Sequence, residues 1–365
     1  MKRILVSVTN DLVTDQRVHK VCTTLTEIGF DVFLIGRRVK NSKKINRNYK
    51  TTRMKLLFTT GFLFYAEYNF RLFFKLLFLK KGILLSNDLD TLLPNYLISK
   101  LFNKKLVYDS HELFTEVPEL INRPFTQKVW LKIEGIILPK LKNCYTVSQS
   151  IANYYNAKYK TNFDVVKNVP KQFKKIGQAS LPFNTDNHKI ILYQGAINKA
   201  RGLELMIETM KFIENTIFII IGGGDLELGL KQKIANLKLE EKVKFIPKTS
   251  PINLQKYTPL ANLGISLEED LGLNYKYALP NKLFDYIQAK VPVLVSNLPE
   301  MKKIITKYNV GEIAESRQPE KLANQINNIL QKGNRFYDIQ LTKAKKELVW
   351  KHESEILKNI FNNLN

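Results

Sequence analysis

The stretch YQGAINKARG (193–202) carries the most legible chemistry in the chain. An apolar run ends at Gly195, and Lys199 and Arg201 stand just before what reads as the start of a helix. Glycine permits close backbone approach, while free N–H groups, the helix dipole and basic side chains together suit a phosphate. PNKLFDYIQAKVP (280–292) places Asn281 and Lys282 at a second helix start, where they too suit an anion. A triple glycine, Gly222, Gly223 and Gly224, follows the strand-like TIFIII; it does not spell GxGxxG and fits a structural turn equally well. In the first half, YDSHE (108–112) sets His111 between acids at a strand end, and a lone histidine is more often structural than catalytic. NDLD (87–90) offers Asp88 and Asp90 at another strand end, a pairing that would suit Mg²⁺ or Mn²⁺. Asp15 and Arg17 begin a helix after the first strand; Asp15 reads as a cap and Arg17 as an anion contact.

Elements able to position these residues alternate along the chain. In the first half, strands are expected at 4–8, 31–36, 82–86, 105–109 and 143–148, with helices between them at 15–28 and 91–101 among others. The second half restarts the pattern, with strands at 189–195, 216–224, 242–247, 263–267 and 291–296. Such alternation implies two doubly wound parallel sheets, with ligands outside the carboxyl ends of the strands. The polar stretch 171–188 reads as a linker. The domains expected are 1–175 and 186–342, followed by one helix over 343–365 that returns to the first domain.

Composition narrows the classes. With 365 residues, 44% hydrophobic and 11% aromatic, the chain can bury two cores and is not disordered. The opening MKRILVSV reads as a first strand rather than a signal peptide. Cys22 and Cys144 form no CxxC pair and read as buried thiols. The net charge of +24 is uneven, and residues 37–81 hold 13 basic residues against one acid, Glu67. That field either attracts an anionic surface or is a solvated lysine-rich face. Within it, the apolar stretch 56–79 is interrupted by Glu67, Arg71 and Lys75 at four-residue spacing, which makes it a poor membrane span. A helix there has a wide apolar face suited to a core; an amphipathic helix on a membrane is the alternative.

Four stretches, TNDLVTDQRVHKV (9–21), the region 88–120, YQGAINKARGLELMIETM (193–210) and YALPNKLFDYIQAKVPVLVSNLPE (277–300), resemble the retaining glycosyltransferases of family 4, and the similarity covers nearly the whole chain. The resemblance implies the GT-B fold, two Rossmann-like α/β domains facing across a cleft. It implies transfer of a sugar, with retention, from a nucleotide-sugar to a glycan or lipid-linked acceptor, with UDP favoured over GDP, as in cell-surface polysaccharide or lipopolysaccharide synthesis. It gives Arg201 one diphosphate contact and leaves the second, where the family has Arg and this chain has Ala196, to Lys199 or Lys282. Gly195, Gly223, Asn281 and Arg17 join the donor site. Asp285, seven positions before Pro292, takes the donor ribose where the family has glutamate. Glu269, in EDLGL, takes the donor sugar hydroxyls; eight residues before Asp285 lies Tyr277, so the loop is about two turns longer than usual. His111 is placed beside the reacting carbon, with Asp88, Asp109 and Glu112 on the acceptor side. Neither a metal nor another cofactor is implied, although NDLD resembles the DxD motif of the other major glycosyltransferase fold. A cytoplasmic place follows, with peripheral attachment to the inner face of the membrane left open by the basic first half. A nucleotide-sugar epimerase on the same fold and a non-enzymatic binder of anionic surfaces are the competing readings; no nucleic-acid recognition motif is present.

Overall fold

A computed structural model of the chain describes residues 2–40, 42–121, 123–173 and 177–364. The chain divides into two compact units, 1–168 with 351–365, and 169–350. Residues 174–176 of the expected linker lie outside the described residues.

The first unit holds a parallel sheet of β1 (Arg3–Asp11), β2 (Asp31–Arg37), β3 (Lys50–Met54), β4 (Ile83–Asn87), β5 (Leu106–Ser110), β6 (Asn143–Thr146) and β7 (Phe163–Val165). Their order is β3-β2-β1-β4-β5-β6-β7, and Val6 of β1 pairs with Leu34 on one side and Leu85 on the other. Helices α1 (Gln16–Glu27), α2 (Gly61–Phe78), α3 (Leu92–Leu101), α4 (Pro118–Ile121), α5 (Pro124–Ile137) and α6 (Gln149–Tyr159) supply the connections. Central strands such as ILLSN of β4 are buried at every position, as a sheet covered on both faces requires.

In the second unit, β8 (Lys189–Ala196), β9 (Thr216–Gly223), β10 (Val243–Pro247), β11 (Leu263–Ser266), β12 (Val293–Val295) and β13 (Gly311–Ile313) form a second parallel sheet in the order β10-β9-β8-β11-β12-β13. Around it run α7 (Leu203–Thr209), α8 (Glu227–Asn236), α9 (Pro251–Tyr257), α10 (Leu273–Lys276), α11 (Asn281–Gln288), α12 (Pro299–Tyr308) and α13 (Pro319–Glu347). In both sheets the strand order reverses direction beside the first strand of the unit, between β1 and β4 and between β8 and β11. That reversal opens a crevice at the carboxyl ends.

Three strands were not expected from sequence. KTTRM, FDV and GEI (β3, β7 and β13) are short edge strands without an apolar run to mark them. The C-terminal region also differs. No helix begins at Lys343; the helical stretch α13 from Pro319 is broken at Gly333, whose φ 69° and ψ 169° are not helical, and its second part runs through Lys343 to Glu347 before α14 (Trp350–Asn362) follows. Within the first unit, Glu353 of α14 accepts a hydrogen bond from the Lys167 N–H at 2.7 Å, and Phe361 meets Phe30 edge-on at 6.1 Å. Cys22 and Cys144 are buried free thiols.

Helix α2 buries Phe64, Tyr68, Leu72 and Leu76, one stripe at four-residue spacing, against the first core. The Tyr68 hydroxyl donates to the Val8 carbonyl at 2.6 Å, so the buried ring keeps its polar end satisfied.

Candidate functional site

At the carboxyl end of the second sheet, β8 ends in Gln194, Gly195 and Ala196. Gly195 has φ 143°, a conformation that side chains rarely tolerate. Its register partner is Gly222 of β9, and a Cβ on Gly222 would strike the Gly195 carbonyl, so that glycine is demanded by strand approach. Gly202 caps α7 at φ 73°, where a Cβ would meet the backbone of Leu267. Neither α7, after Gly202, nor α11, after Pro280, has a side-chain cap on its first N–H groups, although in α11 the Leu283 N–H turns back to the Pro280 carbonyl.

Three charged side chains converge here. Glu268, two residues past β11, is fully buried; it accepts from the Ser266 hydroxyl at 2.7 Å and from Lys282 Nζ at 2.7 Å. The Arg201 guanidinium lies 3.9 Å from the same carboxylate oxygen and 5.3 Å from the Tyr275 ring centroid. The Arg201 Nε is buried with no hydrogen-bond partner among the described residues. Lys282 sits 4.0 Å over the Tyr193 ring. Burial opposes the charge on Glu268, but Lys282 and Ser266 overcome it and hold the carboxyl below its ordinary value. Burial also lowers the Lys282 pKa, against the pull of Glu268, and Arg201 lowers it further. Two cations thus share one carboxylate, leaving one positive charge in excess beside two helix starts. A pyrophosphate could occupy that place.

Asp285, one turn after Lys282 on α11, is half-buried and accepts from Gln194 Nε2 at 3.0 Å; Gln194 in turn accepts from Thr258. Asn281 and Lys199 are exposed, and Gly223 is half-buried at the end of β9. Glu269 points elsewhere than Glu268: it lies 3.4 Å from Arg317 and its N–H donates to the Ala200 carbonyl. The structure therefore links Arg201, Lys282, Asp285 and Gly195 around β8 and α11. It adds Glu268 and Tyr275, which sequence reasoning missed. A carboxylate two residues beyond a strand end was the available signal for Glu268. The extra loop length noted before Asp285 folds as α10, which carries Tyr275 over Arg201.

A second polar cluster lies at the carboxyl ends of the first sheet. Arg17 pairs bidentately with Asp109, at 2.7 and 3.1 Å, and donates to the Val166 carbonyl at 2.9 Å. Both side chains are buried. Arg17, expected to contact a diphosphate, here holds the buried Asp109 carboxylate, which needs a fixed cation beside it. Asp15 caps α1 by accepting from the Val18 N–H. His111 has both ring nitrogens occupied, Nδ1 at 3.1 Å from Asp88 and Nε2 at 3.1 Å from Asp109. Burial disfavours a charge on it, but the two carboxylates raise its pKa well above an ordinary histidine's. Asp109, buried but flanked by Arg17 and His111, falls to about 2. Asp88 holds φ 58°, a strained value for a non-glycine residue, and also accepts from the His111 N–H. Asp90 is buried, accepts from Thr9 at 2.5 Å, and keeps Oδ1 unpartnered. The Glu112 carbonyl accepts from Ser110. Asp88 thus serves His111, and Asp90 engages Thr9 through one of its two oxygens; among the described residues no group of three or more His, Cys, Asp or Glu is arranged to hold a metal.

Solved structures match the chain along its length. Sucrose-phosphate synthase from Thermosynechococcus elongatus superposes with a TM-score of 0.83 at 16% identity, covering 100% of this chain and 99% of that one. Anabaena HepE in complex with UDP-glucose gives 0.78 at 12% identity, with both chains fully covered. The lipopolysaccharide outer core galactosyltransferase WaaB gives 0.66 at 14%, covering 100% and 99%. The chain has the GT-B fold. Residues 178–346, inside the second unit of this GT-B chain, match the family model described as glycosyl transferases group 1. No curated protein matches the sequence. Among the described residues of the GT-B chain, no helix is long and apolar enough to cross a membrane.

Proposed function

We propose that the chain is a retaining glycosyltransferase of family 4 type that moves a hexosyl group from a UDP-sugar, in preference to a GDP-sugar, to a glycan or lipid-linked acceptor. The observation that carries this reading is the second unit's pair of cations, Arg201 and Lys282, sharing the single buried carboxylate of Glu268. An unpartnered Arg201 Nε beside them supports it. The segment match to glycosyl transferases group 1 and the neighbour solved with UDP-glucose support it too.

In this reading the donor diphosphate lies against Arg201, Lys282 and the α7 and α11 starts, with Lys199, Asn281, Gly195 and Gly223 around it. The bond from the anomeric carbon to the diphosphate oxygen breaks, and the cations stabilise the charge that gathers on the leaving oxygen. The acceptor oxygen bonds to that carbon from the same face, and its proton passes to the departing phosphate. Asp285 accepts from the ribose hydroxyls, a diol that two carboxylate oxygens suit. Glu269 binds the donor sugar hydroxyls. We place His111 beside the reacting carbon, with Asp88, Asp109 and Glu112 on the acceptor side. His111 acts as a fixed imidazolium and not as a base, since both nitrogens are engaged. The setting is the cytoplasmic side of a cell-surface polysaccharide or lipopolysaccharide pathway, at the membrane surface.

Titrating the purified protein with UDP, GDP and their sugars, and following donor breakdown by NMR, tests the reading. Tight UDP binding and release of an α-configured product from an α-linked donor are expected. No binding of either nucleotide, or an inverted product, would refute it.

A further inference from the structure

We infer that the outer face of α2, with the loop before it, is a docking surface for an anionic lipid bilayer. Phe64, Tyr68, Leu72 and Leu76 bury one side of the helix. Two residues are about 200° on a helix, so Phe62, Ala66, Phe70, Phe74 and Phe78 form the diametrically opposite stripe. That stripe is exposed: Phe70 is 65% and Phe78 82% accessible. The face a surface helix normally gives to charge here carries phenylalanine. Of 21 large hydrophobic residues exposed in the described chain, seven fall between Leu57 and Phe78.

The partner follows from what borders the stripe. Lys55, Arg71 and Lys75 line a shallow groove with Phe70 and Phe74. Glu67, the one acid between residues 37 and 81, presents no free negative charge. It accepts from the N–H groups of Leu57 and Phe58 at 2.9–3.0 Å and pairs with Arg71 at 2.8 Å. The same bonds pin Leu57, 80% exposed, beside the helix and extend the apolar edge. Rings flanked by cations match the interface of an anionic bilayer, where acyl chains take the apolar side and headgroup phosphates take the lysines. A second copy of the chain would bring Arg71 and Lys75 against their own counterparts at a net charge of +24, which disfavours self-association. Single-stranded nucleic acid would use the rings for stacking, but the aliphatic Leu57 and Leu63 in the patch serve no such role. The helix cannot span, since its inner stripe is locked in the core; it can only lie on the surface. The inference deepens the lipid-linked acceptor named above. Its test is binding alone, so it can fail while donor recognition stands.

The full chain is floated with phosphatidylcholine vesicles with and without phosphatidylglycerol. Binding only to the anionic vesicles, weakening as salt rises, is expected. Phe70→Ser/Phe74→Ser and Lys55→Glu/Lys75→Glu should each lower vesicle affinity about tenfold or more, with melting temperatures little changed because Lys55, Phe70 and Phe74 are exposed and Lys75 is half-buried. Phe74→Trp provides a second measurement: its emission should shift to the blue on adding anionic vesicles. Undiminished binding of the serine variant, no emission shift, a dimer that the serine variant abolishes, or RNA binding that the serine variant abolishes while vesicle binding persists would each overturn the inference.

Discussion

Replacing Lys282 with methionine separates the structural from the ligand-binding part of the second-unit cluster. Methionine keeps an unbranched stem over Tyr193 but removes the ammonium 2.7 Å from Glu268. The buried carboxylate then has Arg201 at 3.9 Å as its remaining cation. Its escape is to take up a proton. From an ordinary value of 4.5, protonation at pH 7 spans 2.5 units, and at about 1.36 kcal/mol per unit it costs about 3.4 kcal/mol. Arg201 relieves part of this, so a stability loss of about 2–3 kcal/mol at pH 7 is expected, shrinking to under about 1 kcal/mol at pH 5 where the proton is nearly free. The double variant Glu268→Gln/Lys282→Met removes the orphaned charge while keeping an acceptor for Ser266, and should recover most of that stability. UDP affinity should fall about tenfold to a hundredfold in both variants, the worth of one charge-assisted hydrogen bond. Urea denaturation at the two pH values and calorimetric UDP titration read the two effects apart. A stability loss independent of pH, or full UDP affinity in the double variant, would refute the reasoning.

Asp285→Ala should weaken UDP, UMP and uridine alike by about tenfold, since it removes a ribose contact, whereas Lys282→Met should spare uridine; equal uridine affinity in the alanine variant would count against the ribose assignment. Asp90 gives a pH signature. Burial, and then Asp88, raise its pKa from 3.8 to about 8, so the folded state holds a proton that the unfolded state releases. Stability tied to that proton is complete below pH 4 and is lost as pH rises through about 8. Asp90→Asn keeps an acceptor for Thr9, so its melting temperature should fall less than the wild type's between pH 5.5 and 8.5, values chosen to lie roughly within that window. Parallel pH curves for the two proteins would show that Asp90 is ionised when folded.

Local pattern was enough for much of this chain. The strand–helix alternation announced two parallel sheets, and the glycine–lysine–arginine loop after β8 and the amphipathic start of α11 stood out because their spacing is within one strand–turn–helix unit. The four-residue period of α2 was equally visible, as was the poor fit to a membrane span. Pattern could not say which apolar stripe of α2 faces inward, since both sides are hydrophobic; only packing against the first core buries Phe64 and leaves Phe70 outside. Adjacent glutamates past β11 likewise look alike in sequence. The direction of the chain there sends Glu268 in to Lys282, 14 residues on, and Glu269 out to Arg317, 48 residues on. Arg17 and Asp109 are 92 positions apart, and their pairing gives a residue that reads as a ligand contact a buried partner that no local pattern announces. Residue types and short-range periodicity belong to the sequence; which charge neutralises which is decided within each unit by its own parallel sheet, which gathers the carboxyl ends of distant strands, because a buried charge is stable only beside a partner the fold supplies.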